Sequence, residues 1–595
     1  MDEKADQTEH IQVVDTQQTG DEHKHATTKD GKKIPQVLLD AQDHAEHVNL
    51  GWYTWFVVFM GAFAVATQVI TVITAGQILA FIIRDMGHPS LAGWVIQGPL
   101  LIQSIFSPII GRLSDVLDRK YAAGIPPLVS FVGSAVCATS KDMNTLIGGS
   151  ILIGFCLPTS SIVHAIQAEV LPLKYRALAN GTAFLASSIG SYAVAGLGSG
   201  AVTAASRDGW RDSFWMQSAF HAACAFFFLV CYWPKRHIDY PKMSVRQYIW
   251  TCDPIGCLLF MSGTCLVLLG MDFGGGEHAW DDAIVCAPLT IGLVLLLMFC
   301  LYEWKGRSDG LAAHVYFQCG PNFPIAVAAF FVEGWIFYSA VNNIVPQQIL
   351  HLGFESNSWD ISVRNLAYGI PSLVGSMCIT WYATKTKDLK YPLILSFVIF
   401  LVSTICYANL TPDQDVPQIV YSVICGLGQS GPLTLILPLV QFTAPHSYLA
   451  TASGLAYCCR AIGGAFGSAV LNAISNQYLN THYDREVAAA AIDAGLPSSS
   501  GPALAAAIFG DLPMDGIEGL TDEALAAAVD KSRWVFARAY GLAWWSILPF
   551  VVIVTVALFW IRGVKDMMTE KVQASVEFRH KEKDDEKGVE SDQNL

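Results

Sequence analysis

Four ionisable side chains lie inside long apolar segments of the sequence, where they could do chemistry. Glu333 stands in the middle of AVAAFFVEGWIFYSAV, Arg460 lies just before an Ile-Gly-Gly run, and His164 and His221 lie in two other segments. A charged side chain at the centre of a bilayer costs about 2.5–3.5 kcal/mol or more, so such residues are functional candidates. We expect Glu333 to carry a proton or to orient a substrate, with Arg460 as its counter-ion or as a substrate contact.

Each of these residues also has a structural interpretation, which the sequence leaves open. Glu333 could be a hydrogen-bonded structural carboxyl, and Arg460 could form a structural ion pair or extend toward the membrane surface. An imidazole such as His164 is more often a satisfied packing group, although it could bind a proton if it were wet. We expect His221 to be structural.

Aromatic and amide side chains flank Glu333 on the same segment. Trp335 and Tyr338 follow it closely, and Asn342 and Asn343 come nine and ten residues after Glu333. A cavity with aromatic walls and a few polar anchors suits a bulky, amphipathic organic solute. A tightly packed aromatic helix has the same composition, so both interpretations stay open.

The segments that would position these residues are long and apolar. The 595-residue chain is 53% hydrophobic and only 14% charged, whereas soluble domains average about 25% charged residues. The apolar residues come in blocks of about 18–25, the length that a helix needs to cross a bilayer. This pattern predicts an all-α polytopic membrane protein. Fourteen blocks begin near residues 52, 90, 121, 145, 177, 213, 253, 283, 322, 362, 392, 415, 449 and 541.

The connections between these blocks alternate in charge. One set is rich in Lys and Arg, which is typical of cytoplasmic loops, so we expect this set and both termini to be cytoplasmic. Residues 1–49 and 563–595 are polar and are predicted to be disordered tails. The connection from about 475 to 540 is then an extracellular loop. Its alanine-rich pieces at Val487–Ala494 and Ala503–Ile508 are predicted to be short surface helices. Asn409 begins an Asn-Leu-Thr glycosylation sequon on the outer side.

The sequence contains an internal repeat. The segments Pro172–Ser191 and Pro445–Gly464 align without a gap at an offset of 273 residues (445 − 172). The fifth block therefore matches the thirteenth, which predicts two six-helix bundles with an extra pair of helices between them. Related halves of this kind are a common transporter architecture, with the solute site between them. The predicted boundaries are 50–233 for the first bundle, 234–320 for a cytoplasmic loop and the extra pair, and 321–562 for the second bundle.

Residues 111 to 120 read GRLSDVLDRK and lie in a predicted cytoplasmic loop. This decapeptide resembles the signature G-x-L-S/A-D-x-x-D/G-R-K/R of the major facilitator superfamily and matches every fixed position. The resemblance implies that Asp115 latches the cytoplasmic face by bonding to a neighbouring helix. Gly111 would let two helix ends approach closely, and Arg112, Arg119 and Lys120 would hold the loop at the lipid headgroups.

The resemblance extends over about residues 50 to 565. Glu169–Arg176 and Trp210–Phe214 are similar to other conserved loops of the superfamily, and Phe81–Gly87 with Trp94 resembles the fungal trichothecene efflux pumps, a fourteen-span branch near the siderophore transporters. The resemblance implies a major facilitator fold and proton-coupled efflux of a toxin, drug or secondary metabolite by alternating access. It also implies a plasma-membrane location, with a vacuolar or vesicle membrane as the alternative.

Several coupling groups of the multidrug antiporters cannot be carried over to this chain. The matching stretch of the fourth span, Ser150–Gly154, has no arginine, the fifth span has no proline between Gly190 and Gly196, and no acid stands near Thr67 in the first span. The sequence also has no G-x-x-x-x-G-K-S/T phosphate loop, which excludes ATP hydrolysis by that motif.

The remaining predictions concern packing, partners and rival functions. Small residues favour close helix contacts, and we expect them at Gly190, Gly463, Gly464 and Gly467. We expect a monomer that contacts the bilayer, protons and a small organic solute, with no cofactor, metal, nucleic acid or enzymatic activity. The alternatives are siderophore–iron uptake and a non-transporting nutrient receptor on the same scaffold.

Overall fold

A computed structural model describes most of the chain between the two tails. The described residues are 51–86, 94–116, 119–171, 175–199, 201–202, 208–233, 244–274, 280–318, 320–355, 358–445, 448–510 and 517–567. Every regular element within these ranges is helical, so the predicted all-α class is confirmed.

The described residues of the first half contain seven helices that form one bundle. They are α1 (Trp52–Met86), α2 (Trp94–Val116), α3 (Arg119–Thr139), α4 (Met143–Gly154), α5 (Ser160–Val170), α6 (Arg176–Ile189) and α7 (Gly209–Phe226). A 3-10 turn at Leu157–Thr159 joins α4 to α5, and the two form one continuous span. π-Helical turns extend α6 over Gly190–Gly198 and α7 over Phe227–Cys231.

The middle of the chain contributes a short helix and a pair of long ones. They are α8 (Val245–Thr251), α9 (Pro254–Gly274) and α10 (Ala283–Leu301), followed by a π-helical turn at Tyr302–Gly306 and a 3-10 turn at His314–Phe317. Only 17% of the most apolar window of α10 is buried inside the protein. Most of this helix is therefore available to lipid, as expected for an added pair outside the bundles.

The second half forms the other bundle. Its helices are α11 (Asn322–Gly334), α12 (Val345–His351), α13 (Ser358–Thr386), α14 (Lys390–Ala408), α15 (Asp415–Thr443), α16 (Leu449–Asp493), α17 (Gly501–Gly510), α18 (Asp522–Ala557) and α19 (Val564–Met567). A π-helical segment at Trp335–Ile344 connects α11 to α12, and a 3-10 turn at Leu558–Trp560 follows α18.

A helix stands at each of the fourteen predicted positions. Eleven helices of the described chain are long and apolar enough to cross a membrane. The helices α2, α6 and α13 occupy the other three positions. Fourteen membrane crossings therefore stay a prediction, while the helical bundle architecture is confirmed.

The chain between residues 475 and 540 differs from the predicted loop. Helix α16 continues to Asp493 and α18 begins at Asp522, so both extend past the predicted boundaries. The alanine-rich run after Val487 favours helix, and the Val487 side chain is fully buried. Alanines that suggested isolated surface pieces instead fill a contact between two helices. The predicted short piece at 503–508 is part of α17.

Polar contacts also join the two helical extensions. The hydroxyls of Tyr483 on α16 and Ser532 on α18 are 2.8 Å apart, and Lys531 Nζ lies 3.0 Å from a carboxylate oxygen of Glu486. The extensions consequently form an antiparallel hairpin. Its extracellular location stays a prediction.

The contacts between the bundles follow the offset of the internal repeat. A Cβ atom on Gly454 of α16 would collide with the Ser107 carbonyl oxygen of α2, and one on Gly181 of α6 would lie 2.7 Å from Thr380 of α13. Adding 273 to Gly181 gives Gly454, and adding 273 to Ser107 gives Thr380. The two interfaces therefore occupy equivalent places in the two halves.

Candidate functional site

A cavity of about 970 Å³ lies between the two halves. Its walls come from α1, α5 and α6 on one side, and from the π-helical segment after α11, α13 and α16 on the other. The polar and aromatic lining residues include Gln68, Gln103, His164, Asn180, Tyr192, Tyr338, Asn342, Tyr368, Tyr457 and Arg460. Such a volume, with mostly apolar walls and a few polar anchors, suits an organic solute.

Glu333 and Arg460 form an ion pair beside this cavity. Glu333 is fully buried near the end of α11, and Arg460 on α16 is 7% exposed. Arg460 Nε lies 2.5 Å from Glu333 Oε2, and Arg460 Nη2 lies 2.8 Å from Oε1. This two-point geometry is the strongest form of an Arg–carboxylate contact. The geometry therefore makes Arg460 the ion-pair partner of Glu333, while its contact with a substrate stays a prediction.

A third helix completes the carboxylate's hydrogen bonding. Gln429 of α15 donates from Nε2 to Glu333 Oε1 at 2.5 Å. The sequence analysis missed Gln429, although a glutamine in the apolar run of α15 follows the same logic that selected Glu333. Three helices of the second bundle thus converge on one buried carboxylate.

Glycines allow the helices that carry the ion pair to approach each other. A Cβ on Gly334 would lie 2.8 Å from the Arg460 carbonyl carbon, and one on Gly463 would lie 2.9 Å from that of Phe331. Only glycine fits such a backbone contact. The close packing predicted at Gly463 is therefore present, and Gly464 and Gly467 extend it.

Gly464 and Gly467 contact aromatic side chains, whereas Gly190 makes a looser contact with an isoleucine. Cβ atoms on Gly464 and Gly467 would lie 2.8 Å from Tyr338 Cβ and 2.6 Å from Trp335 Cγ. One on Gly190 would lie 3.1 Å from Ile70 of α1.

Aromatic rings surround the Arg460 guanidinium on its other faces. Its central carbon lies 5.2 Å from the ring centre of Phe330, 4.9 Å from that of Phe337 and 5.0 Å from that of Tyr338. Its Nη1 also donates to the Tyr338 hydroxyl at 3.3 Å. Arg460 lines the cavity while Glu333 lies behind it. A bound solute would therefore meet a cation whose charge is already compensated.

The π-helical segment Trp335–Ile344 presents two predicted residues to the cavity. Tyr338 and Asn342 both line it, and Asn342 donates to the Phe337 carbonyl at 2.6 Å. π-Helical turns occur frequently at functional sites because the extra residue changes the direction of the side chains. The side chain of Asn343 lies outside the described residues.

Trp335 does not belong to the cavity, which corrects the expectation from its position near Glu333. Its ring is 1% exposed and packs 5.1 Å from Phe466 and 4.8 Å from Phe550. The indole therefore faces α16 and α18 within the second bundle.

His164 lines the cavity and contacts the other bundle. Its Nδ1 lies 2.7 Å from the Ser160 carbonyl oxygen, and its Nε2 lies 3.2 Å from the Tyr457 hydroxyl of α16. His221 is fully buried, does not line the cavity and lies 3.2 Å from the Thr71 hydroxyl of α1. The structural interpretation of His221 fits this position.

Gln68 occupies the part of α1 where the multidrug antiporters carry an acid. It donates to the Thr159 hydroxyl at 2.9 Å and accepts a hydrogen bond from Ser160. Both partners lie at the junction of α4 and α5. The sequence marks this place only by the absence of an acid near Thr67, yet Gln68 lines the cavity.

Asp115 reaches across to the beginning of α16. It accepts hydrogen bonds from Ala450 N at 3.1 Å, Thr451 N at 2.7 Å and Thr451 Oγ1 at 2.7 Å. A carboxylate at a helix N-terminus satisfies free N–H groups and complements the helix dipole. Asp115 therefore makes the contact with a neighbouring helix that the family resemblance implies. Arg119 lies 3.0 Å from the same carboxylate.

Gly111 permits the close approach predicted for it. A Cβ there would lie 2.9 Å from the Ala450 carbonyl carbon and 3.1 Å from Thr451 Cα. Any side chain would push α2 away from α16 and lengthen the hydrogen bonds to Asp115.

The basic residues of the decapeptide are buried, which corrects the expectation that they lie at the headgroups. Arg112 is fully buried and donates to the carbonyl oxygens of Thr251 at 3.1 Å and Asp309 at 2.7 Å. Arg119 and Lys120 are only 6% and 5% exposed. Segments next to the extra pair of helices cover Arg112, and sequence spacing does not reveal this contact.

Comparison with known proteins identifies the family. The family model of the Major Facilitator Superfamily matches residues 54–468. The MFS-type transporter prx5 of Penicillium rubens is 25% identical over 503 residues, covering 82% of this chain and 87% of the relative. The trichothecene efflux pump TRI12 of Trichoderma arundinaceum is 23% identical over 565 residues, covering 90% and 91%.

A solved structure has the same fold. A double-tryptophan mutant of XylE superposes with a TM-score of 0.53 at 12% sequence identity, covering 87% of this chain and 98% of that protein. The family match, the helical architecture and the Asp115 contact agree with one another. The chain belongs to the Major Facilitator Superfamily.

Proposed function

We propose that this protein is a secondary active transporter that exports a bulky organic solute, of the toxin or secondary-metabolite class, across the plasma membrane. Relatives along most of the chain are named as a trichothecene efflux pump and an MFS-type transporter. Both halves of the cavity and the interface closed by Asp115 come from a single chain. We therefore also propose that the monomer is the working unit, with both termini in the cytoplasm.

The observation that carries this proposal is the position of the Glu333–Arg460 pair, with Arg460 in the cavity wall and Glu333 directly behind it. The cavity lies between the two halves and holds about 970 Å³. Movement of one bundle against the other would open it alternately to the two sides of the membrane. The contact between Asp115 and α16 closes the interface at one end and must break when that end opens.

We further propose that Glu333 carries the coupling proton. Its carboxylate is held by Arg460 and Gln429 in a site with no exposure to solvent. Protonation would remove the charge that binds Arg460, and would leave the guanidinium free to move toward the cavity that it lines. Proton binding to Glu333 and solute binding in the cavity would then be coupled through the position of the Arg460 side chain.

Transport by vesicles with an imposed proton gradient tests this proposal. Purified protein in vesicles is given a trichothecene and a panel of other fungal metabolites, and accumulation is compared with and without the gradient. We expect gradient-dependent movement of at least one compound by the wild type, and none by Glu333→Gln. Iron–siderophore transport in the uptake direction would contradict the proposed export.

The chain offers a matched control for this variant. Glu355 pairs with Arg364 at 3.1 Å, and Arg364 also bonds to a glutamine, Gln418, at 2.6 Å. Neither Glu355 nor Arg364 lines the cavity. Glu355→Gln should keep gradient-dependent transport, and equal proton-driven transport by wild type and Glu333→Gln would remove the coupling role.

A further inference from the structure

A second cavity of about 620 Å³ lies between α6 and α13, separate from the central one. We call it the lateral groove. Its apolar walls include Leu178, Leu185, Met377 and Trp381, and its basic end is formed by Lys385 and Lys387.

The lateral groove is the counterpart of the interface that Asp115 closes. Adding 273 to Asp115 gives Asp388. Asp388 does not reach across to α6, because its Oδ1 accepts a hydrogen bond from Lys390 N of the following helix at 3.0 Å. The first interface is therefore closed by protein, whereas the equivalent place in the second interface is a groove.

The walls of the groove continue onto the outer surface of the bundle. The side chains of Met377 and Trp381 on α13 are 55% and 64% exposed, and α13 is one of the predicted membrane spans. Apolar exposure at this place is expected to face lipid chains rather than water. An amphipathic ligand could therefore enter sideways from the bilayer.

The end of the groove carries positive charge that the described protein leaves uncompensated. The ammonium of Lys385 lies 4.9 Å from the ring centre of Trp381. Within the described ranges, no carboxylate oxygen lies within 4 Å of Lys385 or Lys387. Both lysines belong to a basic connection that the charge pattern places on the cytoplasmic side, where anionic lipids are concentrated.

We propose that the lateral groove binds an anionic phospholipid. Its phosphate would lie between the ammonium groups of Lys385 and Lys387, and an acyl chain would lie against Leu178, Leu185 and Met377. Because the walls come from both bundles, the lipid would favour the arrangement in which α6 and α13 stand apart at this end. This proposal does not depend on the identity of the transported solute.

Lipid-dependent thermal stability of the purified full-length protein tests the proposal. Dioleoylphosphatidylglycerol, dioleoylphosphatidylcholine and inorganic phosphate are each titrated into the detergent-solubilised protein. We expect the anionic lipid alone to raise the melting temperature. The double variant Lys385→Gln with Lys387→Gln should raise the lipid concentration needed for half-maximal stabilisation roughly tenfold or more. Lys305→Gln is the matched control, because Lys305 also lies over a tryptophan, Trp304, at 5.5 Å, but outside the groove.

A second variant separates the lipid from other anions. Leu178→Trp fills the apolar wall and keeps both lysines, so it should weaken the response to the anionic lipid. Leu178→Trp also tests lipid binding in the lateral groove if the double lysine variant does not fold. Equal stabilisation by inorganic phosphate would show a simple anion site, and unchanged lipid responses in Leu178→Trp would overturn the proposal.

Discussion

Asp115 of α2 holds the first turn of α16 through the Thr451 backbone N–H, at 2.7 Å, across the interface between the two bundles. The Thr451 hydroxyl donates to the same oxygen at 2.7 Å. One buried carboxylate therefore determines how tightly this end of the interface closes. Hydrogen bonds to a charged group contribute about 1.5–3 kcal/mol.

We predict that Asp115→Asn destabilises the closed interface by about 1–3 kcal/mol, because an amide loses the charge and places a donor toward the N–H groups. The melting temperature and the transport rate should both fall. Asp142→Asn is the control, since Asp142 accepts from Thr145 N and Oγ1 at 2.8 and 2.7 Å, but only at the start of its own helix. Transport equal to wild type in Asp115→Asn would contradict this role.

A second prediction concerns the close approach at Gly111. Gly111→Ala should reduce transport and stability, because its Cβ would lie 2.9 Å from the Ala450 carbonyl carbon. Gly148→Ala on α4 provides the control, since no atom lies within 4 Å of its added Cβ. Melting temperatures of the two variants make the comparison. Unchanged stability in both would show that α2 and α16 separate without cost.

The Glu333–Arg460 pair predicts strong energetic coupling. Glu333→Gln leaves a buried guanidinium without its counter-charge and should cost about 3–5 kcal/mol. Replacing Arg460 by Met in the same chain removes that uncompensated charge, so the double variant should be more stable than the sum of the single effects. Denaturant titrations of the four proteins give the coupling energy. Additive effects would show that the two side chains do not interact.

A pH dependence is predicted at Asp309, outside the membrane spans. Partial burial opposes its ionisation, but the hydrogen bond and charge of Arg307, at 2.7 Å, outweigh this effect and hold the pKa of Asp309 below its ordinary value. A lowered carboxyl pKa stabilises the fold above the unfolded-state pKa, near 3.9, and this contribution disappears as the pH falls through the folded value.

Asp309→Asn should therefore lower the melting temperature at pH 6. The difference from wild type should begin to shrink near pH 4 and disappear once the pH is below the folded-state pKa of Asp309, which is lower than about 4. Melting temperatures between pH 3 and 7 make the measurement. A difference that stays constant across this range would mean that the charge of Asp309 contributes nothing. Glu486→Gln serves as the comparison, because its partner Lys531 is 41% exposed and the pair should contribute little.

The sequence predicted the helices and the polar residues better than the directions of the side chains. Hydropathy identifies Glu333 and Arg460 because a charge in an apolar block is rare for energetic reasons. It does not show that they face each other, since that depends on how α11 and α16 approach at Gly334. The prediction that Trp335 lines the cavity is wrong, because successive residues on a helix point in different directions and Trp335 points toward α16 and α18.

Contacts between distant segments account for the other differences. Arg112 was expected at the headgroups, but the carbonyl oxygens of Thr251 and Asp309 bind it far away in sequence. The sequence predicts a loop for the alanine-rich chain near residue 490, because its apolar pieces are too short and too interrupted by Gly and Pro to span a membrane. Helix α16 nevertheless continues through it, because α18 supplies a packing partner outside the apolar region.

The length of α16 has a mechanical consequence. Its 45 residues correspond to about 68 Å at 1.5 Å per residue, more than twice the roughly 30 Å of hydrocarbon that a span must cross. The far half of this helix packs against α18, and we expect it to move with the second bundle as a lever arm. A tilt of a few degrees at the bilayer becomes a displacement of several ångströms at the tip, so a fluorescent label there would report each transport cycle from outside the lipid.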